Sequence, residues 1–328
     1  MKAETEVLKM AHCQKSNKNM EIAVLLPCYN EEVTIAKVIR DFQAELPDAK
    51  IYVYDNNSKD RSFEISVENG AIVRKEFRQG KGNVIRSMFR DIEADVYIMA
   101  DADDTYPAEY CHKMIELIVN GEADMAMGDR LSNGAYHKEN KRAFHSQGNI
   151  LVRALINLVY RSNISDIMTG YRCFNRKFVK TAPLLSAGFE IETEMTLHAL
   201  DKRFLIKEIP VEYRDRPEGS TSKLNTFSDG FKVLYTIFAL FKNYKPLVFF
   251  SALAGLLMIM GLSAGAPVIR EFLETGFIRH LPLTILAAGL VIISMLFFIC
   301  GVILDTIARN SKYVYELISN QIISQKNK

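Results

Sequence analysis

Asp101-Ala102-Asp103-Asp104 follows directly on the apolar run Val96 to Ala100. Two carboxylates one residue apart on an extended chain end can share a hard divalent cation. Mg2+ or Mn2+ takes oxygen ligands and often completes its shell with substrate phosphates. A departing diphosphate needs such a cation because negative charge builds on it. The same aspartates would equally cap the next helix, where Pro107 suits a first turn. Asp104 could ligate, cap or be solvated. Taken alone, the cluster leaves both readings open.

Three further groups have chemical potential. Pro27-Cys28-Tyr29-Asn30-Glu31 and Asp55 offer an aromatic face for a base and carboxylates that accept from base N–H or ribose hydroxyls. Turns use the same residue types. Gly80-Lys81-Gly82 with Arg86 could turn backbone N–H groups toward a phosphate. It is not a Walker loop, since GxxxxGK[ST] is absent, and a plain loop fits as well. Arg214, Arg216, Ser222 and Lys223 form a basic stretch near an apolar segment. Arginine forks match phosphate oxygens, and nonspecific attraction to anionic headgroups is the alternative.

Positioning these residues takes an alternation of strands and helices. Ile22 to Leu26, Ile51 to Tyr54, Ala71 to Val73, Val96 to Ala100, Met125 to Met127 and Ile206 to Val211 read as strands. Ile35, Ile39, Phe42 and Leu46 mark one helical face between the first two. Further helices are expected from about Asn83, around 147–160 and at about 190–202, with an irregular segment holding Thr169-Gly170-Tyr171-Arg172. Such alternation implies βαβ units and a mostly parallel sheet, with ligands beyond the carboxyl ends of the strands. Asp55 and Asp101 both fall at strand ends, so the two acidic turns should share one sheet edge.

The C-terminal third is different. Leu247 to Ile269 and Leu281 to Leu304 are free of charge, and each exceeds the roughly 20 residues that cross a bilayer. Phe227, Phe231, Leu234, Phe238 and Phe241 recur at helical spacing just before them, as an interfacial helix would, with an ordinary core-facing helix as the alternative. Gly261 and Gly265 make a GxxxG that could draw helices together, and with the amphipathic helix would suit a homo-oligomer; two incidental glycines in an apolar helix fit as well.

The expected organisation is therefore a polar arm at 1–19, an α/β domain at 20–225 and a juxtamembrane amphipathic helix at 226–246. Two transmembrane helices follow within 247–305, at about 247–269 and 281–304, and then a tail at 306–328. Two spans place the α/β domain and the tail on one side. The polar first residues resemble no signal peptide, so that side is expected to be the cytoplasm and the location the cell membrane. Lys242, Lys245, Arg309 and Lys312 flank the outer ends, in keeping with this orientation. The formal net charge of +2 gives no basic field for nucleic acid. Five scattered cysteines without CxxC spacing argue against a disulfide framework or a cysteine zinc site.

Taken in order, Pro27–Glu31, Tyr54–Asp60, Gly80–Gly82, Asp101–Asp103, Gly128-Asp129-Arg130, Thr169–Arg172 and Arg216–Lys223 resemble the family 2 glycosyltransferases of GT-A (Rossmann-like) fold. More closely they resemble the polyprenyl-phosphate glycosyltransferases, the group of dolichyl-phosphate mannose synthase and the bacterial undecaprenyl-phosphate enzymes. The resemblance spans roughly 22–225. It implies nucleotide contacts from Pro27, Tyr29, Glu31, Asp55, Lys81, Asp101 and Ala102, and metal ligation by Asp101 and Asp103. It places Arg130, Arg142, Ser146, Arg216 and Lys223 on the acceptor phosphate, with Asp103, Arg130 and Arg216 nearest the chemistry. The implied reaction is inverting transfer of one sugar from a nucleotide diphosphate sugar to a polyprenyl phosphate with Mg2+ or Mn2+. UDP-glucose or UDP-N-acetylglucosamine is favoured over GDP-mannose. Two departures stand out: Asp55-Asn56 replaces paired aspartates, and Thr105 stands where some members have glutamine. A processive polysaccharide synthase is one rival, but its Gln-x-x-Arg-Trp is absent from a chain with no tryptophan. A noncatalytic nucleotide-sugar-binding scaffold is the other.

Overall fold

The computed structural model describes residues 20–132, 153–217, 238, 241–242 and 244–326. It divides into two compact units, Met1–Phe231 and Lys232–Lys328.

The first unit opens with β1 (Ile22–Cys28), α1 (Ile35–Glu45), β2 (Lys50–Asp55), α2 (Ser62–Glu68), β3 (Ile72–Lys75), α3 (Lys81–Asp91) and β4 (Val96–Met99). It continues with α4 (Cys111–Val119), β5 (Met125–Asp129), β6 (Arg172–Asn175), α5 (Arg176–Thr181), α6 (Ile191–Asp201) and β7 (Ile206–Pro210). Ala23 to Leu26 are buried without alternation. That is the mark of a parallel strand covered on both faces. Ile35, Val38, Ile39 and Phe42 are the buried stripe of α1. Fully burying each such side chain contributes about 1.5–3 kcal/mol.

The strand order is β3-β2-β1-β4-β6-β5-β7. The order reverses after β1, and a crevice beyond the carboxyl ends at such a reversal is the general ligand site of open α/β sheets. Pro27 helps to open it. β1 pairs with β2 as far as Cys28 opposite Asp55, but with β4 only as far as Leu25 opposite Met99. Leu25 O accepts from Ala100 N, whereas Cys28 O accepts from Asn56 N. Alternation therefore turns Pro27 toward the β4 side, where pairing has already ended, and its missing N–H costs no ladder bond.

β6 is antiparallel to both neighbours, β4 and β5. The sequence reading placed Arg172 in irregular chain. Four residues headed by an arginine carry little strand signal, and their pairing is wholly non-local. Because β6 runs backwards, its N-terminal approach, Thr169 to Tyr171, arrives at the edge where the parallel strands end.

The second unit is a helical hairpin, α7 (Pro246–Thr275) and α8 (Leu281–Lys326). Both helices run past the expected spans. α8 has 46 residues and continues unbroken through most of the segment read as a tail. At 1.5 Å per residue it is about 69 Å long, more than twice the roughly 30 Å of a hydrocarbon core. Large apolar side chains such as Ile259, Leu273 and Ile285 are exposed. The GxxxG glycines pack within the hairpin. A Cβ on Gly261 would lie 2.9 Å from Val291, and one on Gly265 would touch Ala287. Ser294 donates to Ala254 O at 2.7 Å across the same seam. The interfacial helix expected at 226–246 lies mostly outside the described residues. Phe238 and Phe241 both set their rings against Phe249.

Candidate active site

Asp55 ends β2 and is almost completely buried. Its Oδ2 accepts from Ser58 N at 3.2 Å, while Oδ1 is buried with no partner. Leaving such an acceptor unmatched costs about 1–3 kcal/mol. The turns around it are tied together: Asn30 N donates to Ser58 Oγ, Lys59 N to Asn30 Oδ1, and Glu31 N to Ser62 Oγ. Asn30 and Asn57 hold positive φ of 52° and 62°, which asparagine tolerates better than most residues. Tyr29 is half-buried beside them.

Asn56 explains the departure from paired aspartates. Its amide nitrogen donates to Glu76 O and Arg78 O at 2.9 and 2.8 Å. Its Oδ1 accepts from Gln79 Nε2 and Gly80 N at 3.1 and 2.7 Å. A carboxylate has no donor for the two carbonyls. Asn56 is thus the clasp of loop 76–80, which delivers Lys81.

The glycines at 80 and 82 serve packing rather than anion binding. A Cβ on either would come 2.1 Å from a carbonyl oxygen of Ala187 or Ser186. Gly80 N is taken by Asn56, and Gly82 N donates to Ala187 O. These two N–H groups are therefore spent, which favours the plain-loop alternative at Gly80 and Gly82. Arg86 likewise braces this junction, donating to Leu185 O at 2.7 Å.

The close approach delivers Lys81 to two carboxylates. Its Nζ lies 2.5 Å from Asp101 Oδ1 and 2.6 Å from Glu192 Oε1. Burial disfavours its charge, but the two carboxylates prevail and hold its pKa above the ordinary lysine value. Gly170 sits against Asp101, where a Cβ would fall 2.6 Å from Oδ2.

Asp103 is also paired. Arg216 Nη2 lies 2.5 Å from its Oδ2, and Nη1 lies 3.8 Å from Glu31 Oε1. Thr105 Oγ1 donates to Asp103 Oδ1 at 2.6 Å, so the residue that replaces glutamine holds this carboxylate in place. Burial, then Asp101, push the Asp103 pKa up against Arg216. Ala102 packs in the core, and its carbonyl accepts from Thr34 Oγ1 at 2.7 Å. Asp104, with φ of 60°, is bound by Lys37 at 2.6 Å.

Arg130 stands after β5 on the same edge. It forks onto Asp166 at 2.6 and 2.9 Å and lies over the Tyr213 ring. Tyr106 lies within the electrostatic reach of both Arg130 and Asp101, and its hydroxyl accepts from Gly170 N. Arg172 is a strut. Fully buried, it donates to Thr169 O, Ile167 O and Glu192 O, and burial lowers its pKa to about 10. Arg142, Ser146, Ser222 and Lys223 lie outside the described residues.

The structure thus brings Glu31, Lys81, Asp101, Asp103 and Arg216 into one cluster, with Asp55 beside it. Glu192 and Asp166 were not singled out from the sequence. Glu192 lies in Glu190-Ile191-Glu192-Thr193-Glu194, and these alternating acids are its signal in the sequence. Among the described residues no group of three His, Cys, Asp or Glu converges as a ready metal cage. Two carboxylates, with phosphates and water making up the shell, still suit Mg2+ or Mn2+. With all groups ionised, Glu31, Asp101, Asp103 and Glu192 give four negative charges against two on Lys81 and Arg216.

Comparison with known proteins identifies the family. The model of the family described as glycosyl transferase family 2 matches residues 23–182. Glycosyltransferase AglJ of Haloferax volcanii is 30% identical over 87% of this chain and 93% of its own. A dolichyl-phosphate hexose transferase of the same organism is 29% identical over 64% of this chain and 89% of its own. Among solved structures, glucosyl-3-phosphoglycerate synthase of Mycobacterium tuberculosis, in complex with Mn2+, UDP and glucosyl-3-phosphoglycerate, is similar in fold. Its TM-score is 0.55 at 17% identity, covering 70% of this chain and 81% of the other. A GT-A sheet with acids at its switch point, matched along nearly the whole of a 30% identical relative, makes this chain a glycosyltransferase of family 2.

Proposed function

We propose that the protein transfers a single sugar from a nucleotide diphosphate sugar to a polyprenyl phosphate at a membrane surface. The observation that carries the reading is the pairing of Asp101 and Asp103 at the switch point with Lys81 and Arg216, beside the unmatched Asp55 oxygen. Asp55, with Tyr29 and Glu31, orients the nucleoside. Asp101 and Asp103 hold a divalent cation, which when bound offsets the charge that grows on the departing diphosphate. Lys81 and Arg216, released from Asp101 and Asp103, turn to phosphate oxygens.

The acceptor needs no strong base from the protein. A phosphate monoester has a second pKa near ~6 and is largely ionised at neutral pH. The protein instead brings two anions together and offsets their repulsion. Arg130, with Arg142, Ser146 and Lys223, is assigned to the acceptor phosphate. This role requires Arg130 to share or leave Asp166. The lipid is supported by the exposed apolar hairpin and by the dolichyl-phosphate named in one relative. A cytoplasmic catalytic side, undecaprenyl phosphate as the lipid and a UDP-sugar as donor belong to the same proposal.

The test is incubation of the detergent-solubilised full chain with undecaprenyl phosphate and a panel of UDP- and GDP-sugars, with and without chelator. A lipid carrying one sugar, lost with EDTA and restored by Mg2+ or Mn2+, is expected. A polymer would point to a synthase. Nucleotide binding with no product from any donor would point to a scaffold.

A further inference from the structure

Lys81 has two counter-ions where the chemistry described above uses one. Asp101 is assigned to the cation, but nothing so far gives Glu192 a task. Glu192 is buried in the first turn of α6. A helix N-terminus favours a carboxylate there. Its position is fixed twice over. Its carbonyl accepts from Arg172 Nη2 at 2.9 Å. Two residues on, the Glu194 carboxylate accepts from Leu185 N and Ser186 N at 3.0 and 2.8 Å. The chain just beyond, at Ser186 and Ala187, is what the glycines flanking Lys81 press against. Helix α6 and the Lys81 loop are therefore held together as one piece.

Resting on the reading that Asp101 and Asp103 take a divalent cation, we propose that Glu192 is a positioning residue. It keeps Lys81 anchored while Asp101 exchanges the ammonium for the cation. An ammonium and a metal ion compete for the same Asp101 oxygens. Were Asp101 the sole counter-ion of a buried Lys81, loading the metal would strand a positive charge next to it. With Glu192 at 2.6 Å, Lys81 stays paired when Asp101 turns away. It then remains within reach of the phosphate that arrives with the cation. The two-carboxylate cradle thus lets one site alternate between a resting state neutralised from within and a loaded state.

A double-mutant cycle on metal affinity tests this. Mn2+ binding to the full chain in detergent is followed by electron paramagnetic resonance, alone and with UDP. Glu192→Gln, nearly the same shape, is expected to weaken Mn2+ binding on the order of tenfold. Lys81→Met is expected to strengthen it. In the Lys81→Met background, Glu192→Gln should change the affinity by less than about twofold. An equal loss in both backgrounds would overturn the proposal, since Glu192 would then act only as a distant charge. No loss in either background would overturn it too, and would leave Glu192 a packing residue. Should Glu192→Gln not fold, as judged by its melting transition, Lys81→Met still decides: unchanged or weaker Mn2+ binding sinks the exchange. Asp101→Asn separates the two levels of the argument. Mn2+ binding that survives it refutes the metal reading and the inference together. Binding lost in Asp101→Asn, with an additive cycle, refutes the inference alone.

Discussion

Asp103 and Asn56 show how unequal two residues can be when a motif is read by type alone. Asp103 is paired with Arg216 and held by Thr105. Asp103→Asn keeps the shape, removes the charge and should lower turnover about a hundredfold or more. Formation of the lipid-linked sugar measures this, and UDP binding should change far less. Asn56 occupies the place of an expected second acid but acts through the backbone it clasps. Asn56→Asp sets a carboxylate against two carbonyls. That should cost about 1–3 kcal/mol of stability and loosen the Lys81 loop. Denaturant unfolding reads the first effect. Nucleotide affinity reads the second, and an unaltered affinity would show that the loop holds without its clasp.

At the scale of elements, β6 decides what lies against Asp101. Because it is antiparallel, the segment before it crosses the carboxyl edge and sets Gly170 on Asp101. Gly170→Ala leaves strand pairing intact but introduces a Cβ 2.6 Å from the carboxylate. Displacing a catalytic group by about 1 Å can cost on the order of a hundredfold in rate. The expected outcome is a folded variant with that scale of loss in turnover. Near-normal turnover would mean that Asp101 has room to move. Helix α6 plays the companion role, since it carries Glu192 to Lys81.

For the whole molecule, one buried histidine links stability to acidity. His198 packs with Phe178 and Phe204, and burial lowers its pKa to about 4. In the unfolded chain an ordinary histidine titrates near 6.5. Between these values the unfolded state binds more protons, so stability is complete above about 6.5 and falls as the pH drops toward 4. The loss amounts to about 3 kcal/mol at most. Unfolding midpoints measured across that window should fall with pH, and less steeply in His198→Phe.

The alternating sheet, the acidic turns at two strand ends and the apolar C-terminal pair are legible in the chain before it folds. Each of these is written in local periodicity or in a short run such as Val96 to Ala100. Tertiary structure alone decided the partners. Lys81 meets Glu192 across more than a hundred residues because glycines 80 and 82 let two backbones touch. Arg130 finds Asp166, Arg172 becomes a strut, and Gly261 packs inside its own hairpin. Such pairings depend on which chain segments fold against one another, and no local pattern records that. Asp101 and Asp103 were legible as acids at a strand end. That each rests on its own cation was decided only by the fold.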